Sequence, residues 1–329
     1  VTSFEEAAEP FRRELLAHCY RMLGSRHEAE DVVQETYLRA WRSFDGFEGR
    51  SSVRVWLYRI ATNACLNALR GRRRRDLPST VDATAADVQW LEPMPDALVT
   101  PESDDPAAVV TSRHDLRLAL IAGLQHLPPR QRAVLILRDV LAIPATEVAR
   151  MLDTTVAAVK SALQRARATL ADVAPTADDL VEPTSPRARA LLSEYIAGFE
   201  NSDLSALERA LRTDAALEVA GSPTWFHGRD TCLTFLATVV GTAGDWRMHP
   251  TTANNHPATY TYHQGKPWGM AVLTTTTTGI ARLTVFPDPT LVADRPFPDD
   301  AQRVADEDGS PSPGRDGGLR ARPGPGRGG

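Results

Sequence analysis

Two kinds of residue in this chain could do chemistry. The first is a scatter of acid–base groups toward the C-terminal end: Asp203, His227, Asp230, His249 and His263. Proton transfer needs such groups within hydrogen-bond reach of one substrate, and none of these spacings forces two side chains together. Asp203 stands where it caps a helix and His227 where it closes a turn, so no catalytic residue is expected. Cys19, Cys65 and Cys232 lack CxxC spacing and a neighbouring histidine pattern. Neither a disulfide framework, a metal site nor a cofactor is therefore expected, and the three thiols should sit in apolar interiors. The second kind is binding chemistry. Val53–Arg75 carries seven arginines and no acid, with Trp56 and Tyr58 beside the first of them. Cations neutralise phosphates and aromatic rings stack on unpaired bases. The run Arg72 to Arg75 exceeds what a helix end needs to complement its dipole.

The hydrophobic pattern supplies the elements that carry these groups. In Ala29–Phe44, residues Ala29, Val32, Val33, Tyr37, Ala40, Trp41 and Phe44 fall at helical spacing and predict one buried face. The opposite face holds Asp31, Glu35, Leu38 and Arg42, widened by Gln34 and Arg39. An apolar residue rimmed by charge suits a protein-docking face better than a face made only for water. Val53–Arg75 reads as a helix with Trp56, Ile60, Asn63 or Ala64, and Asn67 inward. Phe4–Met22 reads as a helix broken before Pro10, its inner face formed by Phe11, Leu15, His18 or Cys19, and Met22. Together these predict a three- or four-helix unit ending near Arg75.

Further along, His114–Leu127 is amphipathic through Leu116, Leu120, Leu124 and Leu127, and Pro128-Pro129 opens a helix that turns Ala133, Val134, Leu137 and Val140 inward. Ile143–Leu170 reads as a helix through Leu152, a turn at Asp153–Thr155, and a second helix capped at Thr154 or Thr155. In that second helix Val156, Val159, Leu163, Ala166 and Leu170 belong to the core. Ala157, Lys160, Ser161, Gln164, Arg165 and Arg167 are left outside, a mixture of small, hydrogen-bonding and cationic side chains suited to a DNA major groove.

DVVQETYLRAWRSF followed by FEGRSSVRVWLYRIATNACLNALR resembles region 2 of the extracytoplasmic-function (ECF) sigma factors, bacterial relatives of sigma-70. LPPRQRAVLILRD followed by VKSALQRARATL is similar to region 4 of the same family. The resemblance implies that Asp31, Gln34, Glu35, Leu38, Arg39 and Arg42 face the β′ clamp helices of core RNA polymerase. It places Phe47, Arg50, Ser51, Ser52, Arg54, Asn63 and Arg70 at the −10 promoter element. The outward residues of Val156–Leu170 would read the −35 element, and the β flap would be a second polymerase contact.

The chain has 329 residues and a net charge of −5, which alone argues against a uniformly basic DNA binder. The distribution says more. Residues 1–75 carry 14 basic and 10 acidic residues, 76–112 none and 8, and 113–174 carry 9 and 5. Two basic blocks flank an acidic linker. Within that linker WLEPMPDAL (Trp90–Leu98) is too apolar to lie in water and is expected to dock on a domain. It resembles a tryptophan-leucine-proline signature in sigma factors with a C-terminal extension, which makes Trp90, Leu91, Pro93 and Pro95 candidate regulatory residues.

After a short linker at Pro175–Pro186, the block Arg187–Pro298 changes character. Helices at Ala188–Glu200, Leu204–Leu211 and Asp230–Val240 accompany strand-like runs at Ala216–Ala220, Trp246–Thr252, Thr259–His263, Met270–Thr277 and Ile280–Phe286. This predicts an α+β domain with a curved antiparallel sheet. TWFHGRD (Thr224–Asp230) and the closing FPDP resemble the SnoaL-like branch of the NTF2-like cone fold, which implies a pocket between sheet and helix and, in related sigma factors, regulation in cis. An unidentified small ligand in that pocket is a possible partner. Residues 299–329 hold 8 Gly and 4 Pro and no aromatic, and are expected to be disordered. No apolar run approaches a membrane span and no signal peptide precedes Phe4, so a cytoplasmic protein without a membrane partner is expected.

The expected molecule has two all-α sigma domains (1–75 and 113–174), an acidic linker (76–112) and an α+β cone domain (187–298). It binds core polymerase and promoter DNA and is not an enzyme. A helix-turn-helix regulator with a ligand-sensing domain, or a SnoaL-like cyclase or isomerase fused to a DNA-binding module, would leave the Ala29–Arg75 block unexplained.

Overall fold

Helix α1 (Phe4–Ala8) starts at a capping box in which Ser3 Oγ accepts from Glu6 N and the Glu6 carboxylate accepts from Ser3 N. Pro10 interrupts the helical ladder, so a 3-10 turn (Glu9–Phe11) separates α1 from α2 (Arg12–Leu23). Gly24 ends α2 in the left-handed region at φ +73°, and Ser25 caps α3 (Arg26–Ser43). Helix α4 (Val53–Arg75) follows the loop. The computed structural model describes residues 3–49, 51–75, 91–100, 116–173, 180–220 and 225–292.

Two sequence expectations need correction in this unit. Trp41 is not on the buried face of α3: it is 61% exposed, while Ala40 is fully buried. In α4 the buried side chains are Leu57, Tyr58, Ala61, Thr62, Ala64, Cys65, Leu66 and Leu69, whereas Trp56 and Ile60 are half-buried and Asn67 is exposed. Tyr58 therefore cannot stack on a base. Its hydroxyl donates to Glu14 Oε2 (3.0 Å) and its ring packs edge-on against buried His18. The inner face lies about one residue round from the predicted one, because α4 is covered by α2 as well as by α3 and hides a wider arc.

Of the acidic linker, residues 91–100 are described, and they include the short helix α5 (Asp96–Val99). Trp90 lies outside the described residues. The second helical unit comprises α6 (Leu118–Gln125), α7 (Pro129–Leu135), a π-turn at Ile136–Val140, α8 (Ala145–Met151) and α9 (Val156–Val173). Pro129 sits at the first helical position of α7, where its missing N–H costs nothing. Thr155 caps α9, its Oγ1 accepting from Ala158 N at 3.1 Å. One apolar core runs through both helical units, joining Leu15, Met22 and Leu57 to Ile121, Leu124 and Ile136, with Met94 of the linker buried among them.

The C-terminal unit has α10 (Pro186–Glu200), α11 (Leu204–Ala210) and α12 (Arg229–Val239) packed against six strands. These are β1 (Leu211–Val219), β2 (Trp225–His227), β3 (Trp246–Ala253), β4 (His256–His263), β5 (Lys266–Thr275) and β6 (Ile280–Phe286). Their order is β2-β1-β6-β5-β4-β3. The sheet is mixed rather than antiparallel: β1 and β6 run parallel, with Leu217 opposite Leu283, and the other pairs are antiparallel. The parallel pair arises because the chain returns to β1 after crossing the whole sheet, which no local pattern encodes. Strands β3 and β4 are joined by Asn254-Asn255, both at positive φ (+53° and +54°), with Ala253 opposite His256. Two such residues are what a tight type I′ hairpin turn requires, and asparagine tolerates the conformation. This helix-first mixed α+β arrangement has the architecture expected of an NTF2-like cone.

Candidate functional site

Four places in the molecule carry the candidate residues. On α3 the outward face is charged around an apolar pair: Leu38 is 55% exposed and Trp41, three residues on, shares its side of the helix. Asp31, Gln34, Glu35, Arg39 and Arg42 are all exposed around them, and Arg39 donates to Glu35.

The second place is the loop before α4. Phe47 is half-buried, its ring 4.9 Å from that of Trp56 and stacked beside Phe44. Ser52 starts α4, its Oγ accepting from Val55 N at 3.3 Å. Arg54 is already engaged, 2.8 Å from Glu14 Oε2 and lying over the Tyr58 ring. Ser51 and Asn63 are half-buried and Arg70 is exposed. Arg50, and the side chains of 72–75, lie outside the described residues.

The third is α9, where Ala157, Lys160, Ser161, Gln164 and Arg165 are exposed on the face opposite buried Val159 and Ala166. Arg167 is also exposed but makes a two-pronged ion pair with Asp139 (2.8 and 2.7 Å). Between α6, α7 and α9 lies an open groove lined by Leu120, Leu124, Leu135, Val140 and Leu170, with the Arg167–Asp139 pair on its rim.

The fourth place joins the linker segment that the sequence marked for docking to a hairpin tip that the sequence did not mark as a site. Asn254, at the tip of the β3–β4 hairpin, is fully buried. Its Nδ2 donates to Tyr20 Oη (2.9 Å) and Leu116 O (2.8 Å), its Oδ1 accepts from Met94 N (2.9 Å), and its own N donates to Met94 O (2.9 Å). Tyr20 Oη in turn donates to Glu92 O (2.7 Å), and burial pushes its pKa up. Asn255 N donates to Asp96 Oδ1 (2.9 Å). The Glu92 carboxylate accepts from Ser25 Oγ (2.9 Å) and His27 N (3.1 Å), and Glu92 N donates to Gly24 O (3.1 Å). Leu91 is half-buried, and Pro93 and Pro95 are buried. Nearby, Arg117 pairs with Glu182 (3.6 Å), and His256 is held down to about 3 by burial and then by the Arg117 charge. The helical units also touch directly. Gln125 Nε2 donates to Arg21 O (3.4 Å), and buried Arg132 donates to Met22 O as well as to Gln125 O (3.0 Å) and Leu127 O (3.2 Å).

The scattered acid–base residues are not brought together. Asp203 caps α11 by accepting from Ser205 N and Ala206 N. His227 and Asp230 are exposed, and His249, lowered in pKa by burial, packs edge-on against Tyr262. His263 lies against Trp246. Among the described residues none of the five hydrogen-bonds to another, and no cluster of three metal-ligating side chains occurs.

The family models for Sigma-70 region 2 and Sigma-70 region 4 match residues 8–75 and 117–170. The ECF RNA polymerase sigma factor SigG of Mycobacterium tuberculosis is 45% identical over 313 residues, which cover 90% of this chain and 84% of that one. The chain belongs to the ECF RNA polymerase sigma factors. SigW of Bacillus subtilis is 31% identical over 170 residues, covering 51% of this chain and 87% of that one. The crystal structure of the Mycobacterium tuberculosis ECF sigma factor SigJ shares the fold, with a TM-score of 0.57 at 23% identity over 87% of this chain and 96% of that one.

As an ECF sigma factor, the protein directs transcription initiation by binding core RNA polymerase and promoter DNA, and it is not an enzyme. Among the described residues no helix is long and apolar enough to cross a membrane.

Proposed function

We propose that the C-terminal α+β domain regulates this sigma factor in cis by holding regions 2 and 4 in a closed arrangement that promoter engagement must open. The observation that carries this is the buried tip of the β3–β4 hairpin, where Asn254 bonds to Tyr20 in region 2, Met94 in the linker and Leu116 just before α6, beside a core that regions 2 and 4 share. A comparison of lengths supports an inhibitory sign. The −10 and −35 elements are about 25 base pairs apart, or about 85 Å of duplex. Compact units of this size measure roughly 27 Å across, so two in contact span about 55 Å at most. The closed molecule cannot place one unit on each element, and the domain that stabilises closure is an inhibitory clamp.

Within this reading, Asp31, Gln34, Glu35, Leu38, Arg39 and Arg42 form the face for the β′ clamp helices, with Trp41 as a further anchor. The loop from Phe47 through Arg50, Ser51 and Ser52, together with Asn63 and Arg70, meets the −10 strand. Arg54, occupied by Glu14, contributes chiefly by fixing α2 to α4. Ala157, Lys160, Ser161, Gln164 and Arg165 read the −35 element, and Arg167 joins them on leaving Asp139. The open apolar groove of region 4 suits the β flap. A small ligand held between sheet and helices could bias opening, since a difference of a few kcal/mol between two states suffices.

Run-off transcription with core polymerase tests the proposal, comparing the full chain with one ending at Ala174. More transcript from the truncated chain is expected at promoters carrying both elements. Equal or lower output at every promoter would overturn it.

A further inference from the structure

Several contacts join the segments of the closed arrangement, and they differ in how many segments each one touches. The Arg132 contacts join region 2 to region 4 without the C-terminal domain. The Arg117–Glu182 pair joins the start of region 4 to residues ahead of α10. Asn254 bonds to Tyr20 of α2, to Met94 of the linker and to Leu116 just before α6, all from one side chain.

Resting on the closed-state reading above, we infer that the Asn254 carboxamide is the pin of the clamp, and that its neighbour Asn255 is not. The two asparagines share a turn, a backbone conformation (φ +53° and +54°) and burial to 1% exposure or less. Their side chains are used in opposite ways. Asn254 commits both amide hydrogens and its carbonyl oxygen to three segments distant in sequence, and Tyr20 can accept from it because the Tyr20 proton is committed to Glu92 O. Asn255 binds the linker through its backbone N alone, and its Nδ2 and Oδ1 are buried without a hydrogen-bond partner. Deleting a fully bonded buried amide strands its partners, whereas deleting an unbonded one breaks no hydrogen bond. The hairpin turn itself is indifferent to either deletion if glycine is the replacement, because glycine takes positive φ freely.

The neighbouring residues thus make a matched experiment in the full-length chain. Asn254→Gly keeps the turn and removes the pin. Asn254→Asp keeps the shape but replaces the donating nitrogen by an accepting oxygen that faces Leu116 O and Tyr20 Oη. Asn255→Gly keeps the turn and the Asp96 bond. Hydrogen exchange read by mass spectrometry on the amides of Glu92 and Met94, which are bonded to Gly24 O and Asn254 Oδ1, reports docking of the linker. Both Asn254 variants should speed this exchange at least tenfold, with Asn255→Gly within about twofold of the unaltered chain. Run-off transcription with core polymerase should rise for the Asn254 variants and not for Asn255→Gly. Exchange unchanged in both Asn254 variants, or raised equally by Asn255→Gly, would overturn the inference. Faster exchange in the Asn254 variants without more transcript would uphold the pin and overturn the inhibitory reading of the clamp.

Discussion

Trp41 falls on the apolar stripe of α3 by helical counting, yet its indole is 61% exposed beside Leu38 at 55%. A pair of large apolar side chains three residues apart in a charged rim has the composition of an interface centre. Leu38→Glu is expected to weaken core-polymerase binding by about 2 kcal/mol or more with the melting temperature unchanged, because neither side chain belongs to the core. Trp41→Ala should act in the same direction. Undiminished recovery of polymerase in a pull-down with both variants would remove the docking face. Two other residues make a prediction about acid. His18 donates from Nε2 to Thr62 Oγ1 at 2.9 Å, because the Thr62 proton is committed to Tyr58 O, and this leaves Nδ1 bare and the ring neutral. Burial, then Arg21, lowers His18 to about 3, and burial, then Arg117, does the same to His256. Below the ordinary value of 6.5 the unfolded chain takes up two protons that the folded chain refuses. Their contribution is intact above about pH 6.5 and is lost progressively as pH falls toward about 3. At about pH 5 the loss relative to about pH 7 should be about 4 kcal/mol for the pair, checked by denaturant unfolding at both pH values. Stability independent of pH over that range would contradict the buried, neutral assignment.

The elements divide by how local their causes are. The break at Pro10, the helix opened by Pro128-Pro129, and the helix-turn-helix with its cap at Thr154 or Thr155 were readable because each depends on residues within a turn or two. The inward set of α9 is likewise a matter of period, with Val159 and Ala166 buried and Lys160, Ser161 and Gln164 exposed. Lys160→Ala and Gln164→Ala are each expected to cost about 1–3 kcal/mol in −35 recognition, seen as reduced protection in footprinting with polymerase, while contacts at the −10 element persist. Unchanged protection would mean that another face of α9 reads DNA. Other features were not readable. The parallel pairing of β1 with β6, and the three-residue strand β2, depend on partners far along the chain or on too few residues to show alternation. The apolar segment at 91–100 could be recognised as docked from its composition. Its counterpart could not, since the Met94–Asn254 bond joins residues 160 apart. Asn254-Asn255 between two alternating runs signals a hairpin turn, but nothing local says that the tip of that hairpin is buried in a joint.

At the scale of the whole molecule, one apolar core serves both sigma regions and one hairpin tip touches region 2, the linker and the start of region 4. Under the proposed clamp, the surfaces assigned to polymerase and promoter lie too close together in the closed molecule for both promoter elements. Loss of the C-terminal domain should therefore raise output at two-element promoters and matter less where one element suffices. The central claim is that the free protein is closed and the promoter-bound protein is open. Its most direct test is the distance between a spin label at exposed Arg12 in region 2 and one at exposed Thr146 in region 4, measured by pulsed electron paramagnetic resonance. The free chain should give one short distance. Adding core polymerase and a promoter with both elements should lengthen it by tens of ångströms, toward the roughly 85 Å set by the duplex. A distance unchanged on forming a transcriptionally active promoter complex would contradict the account.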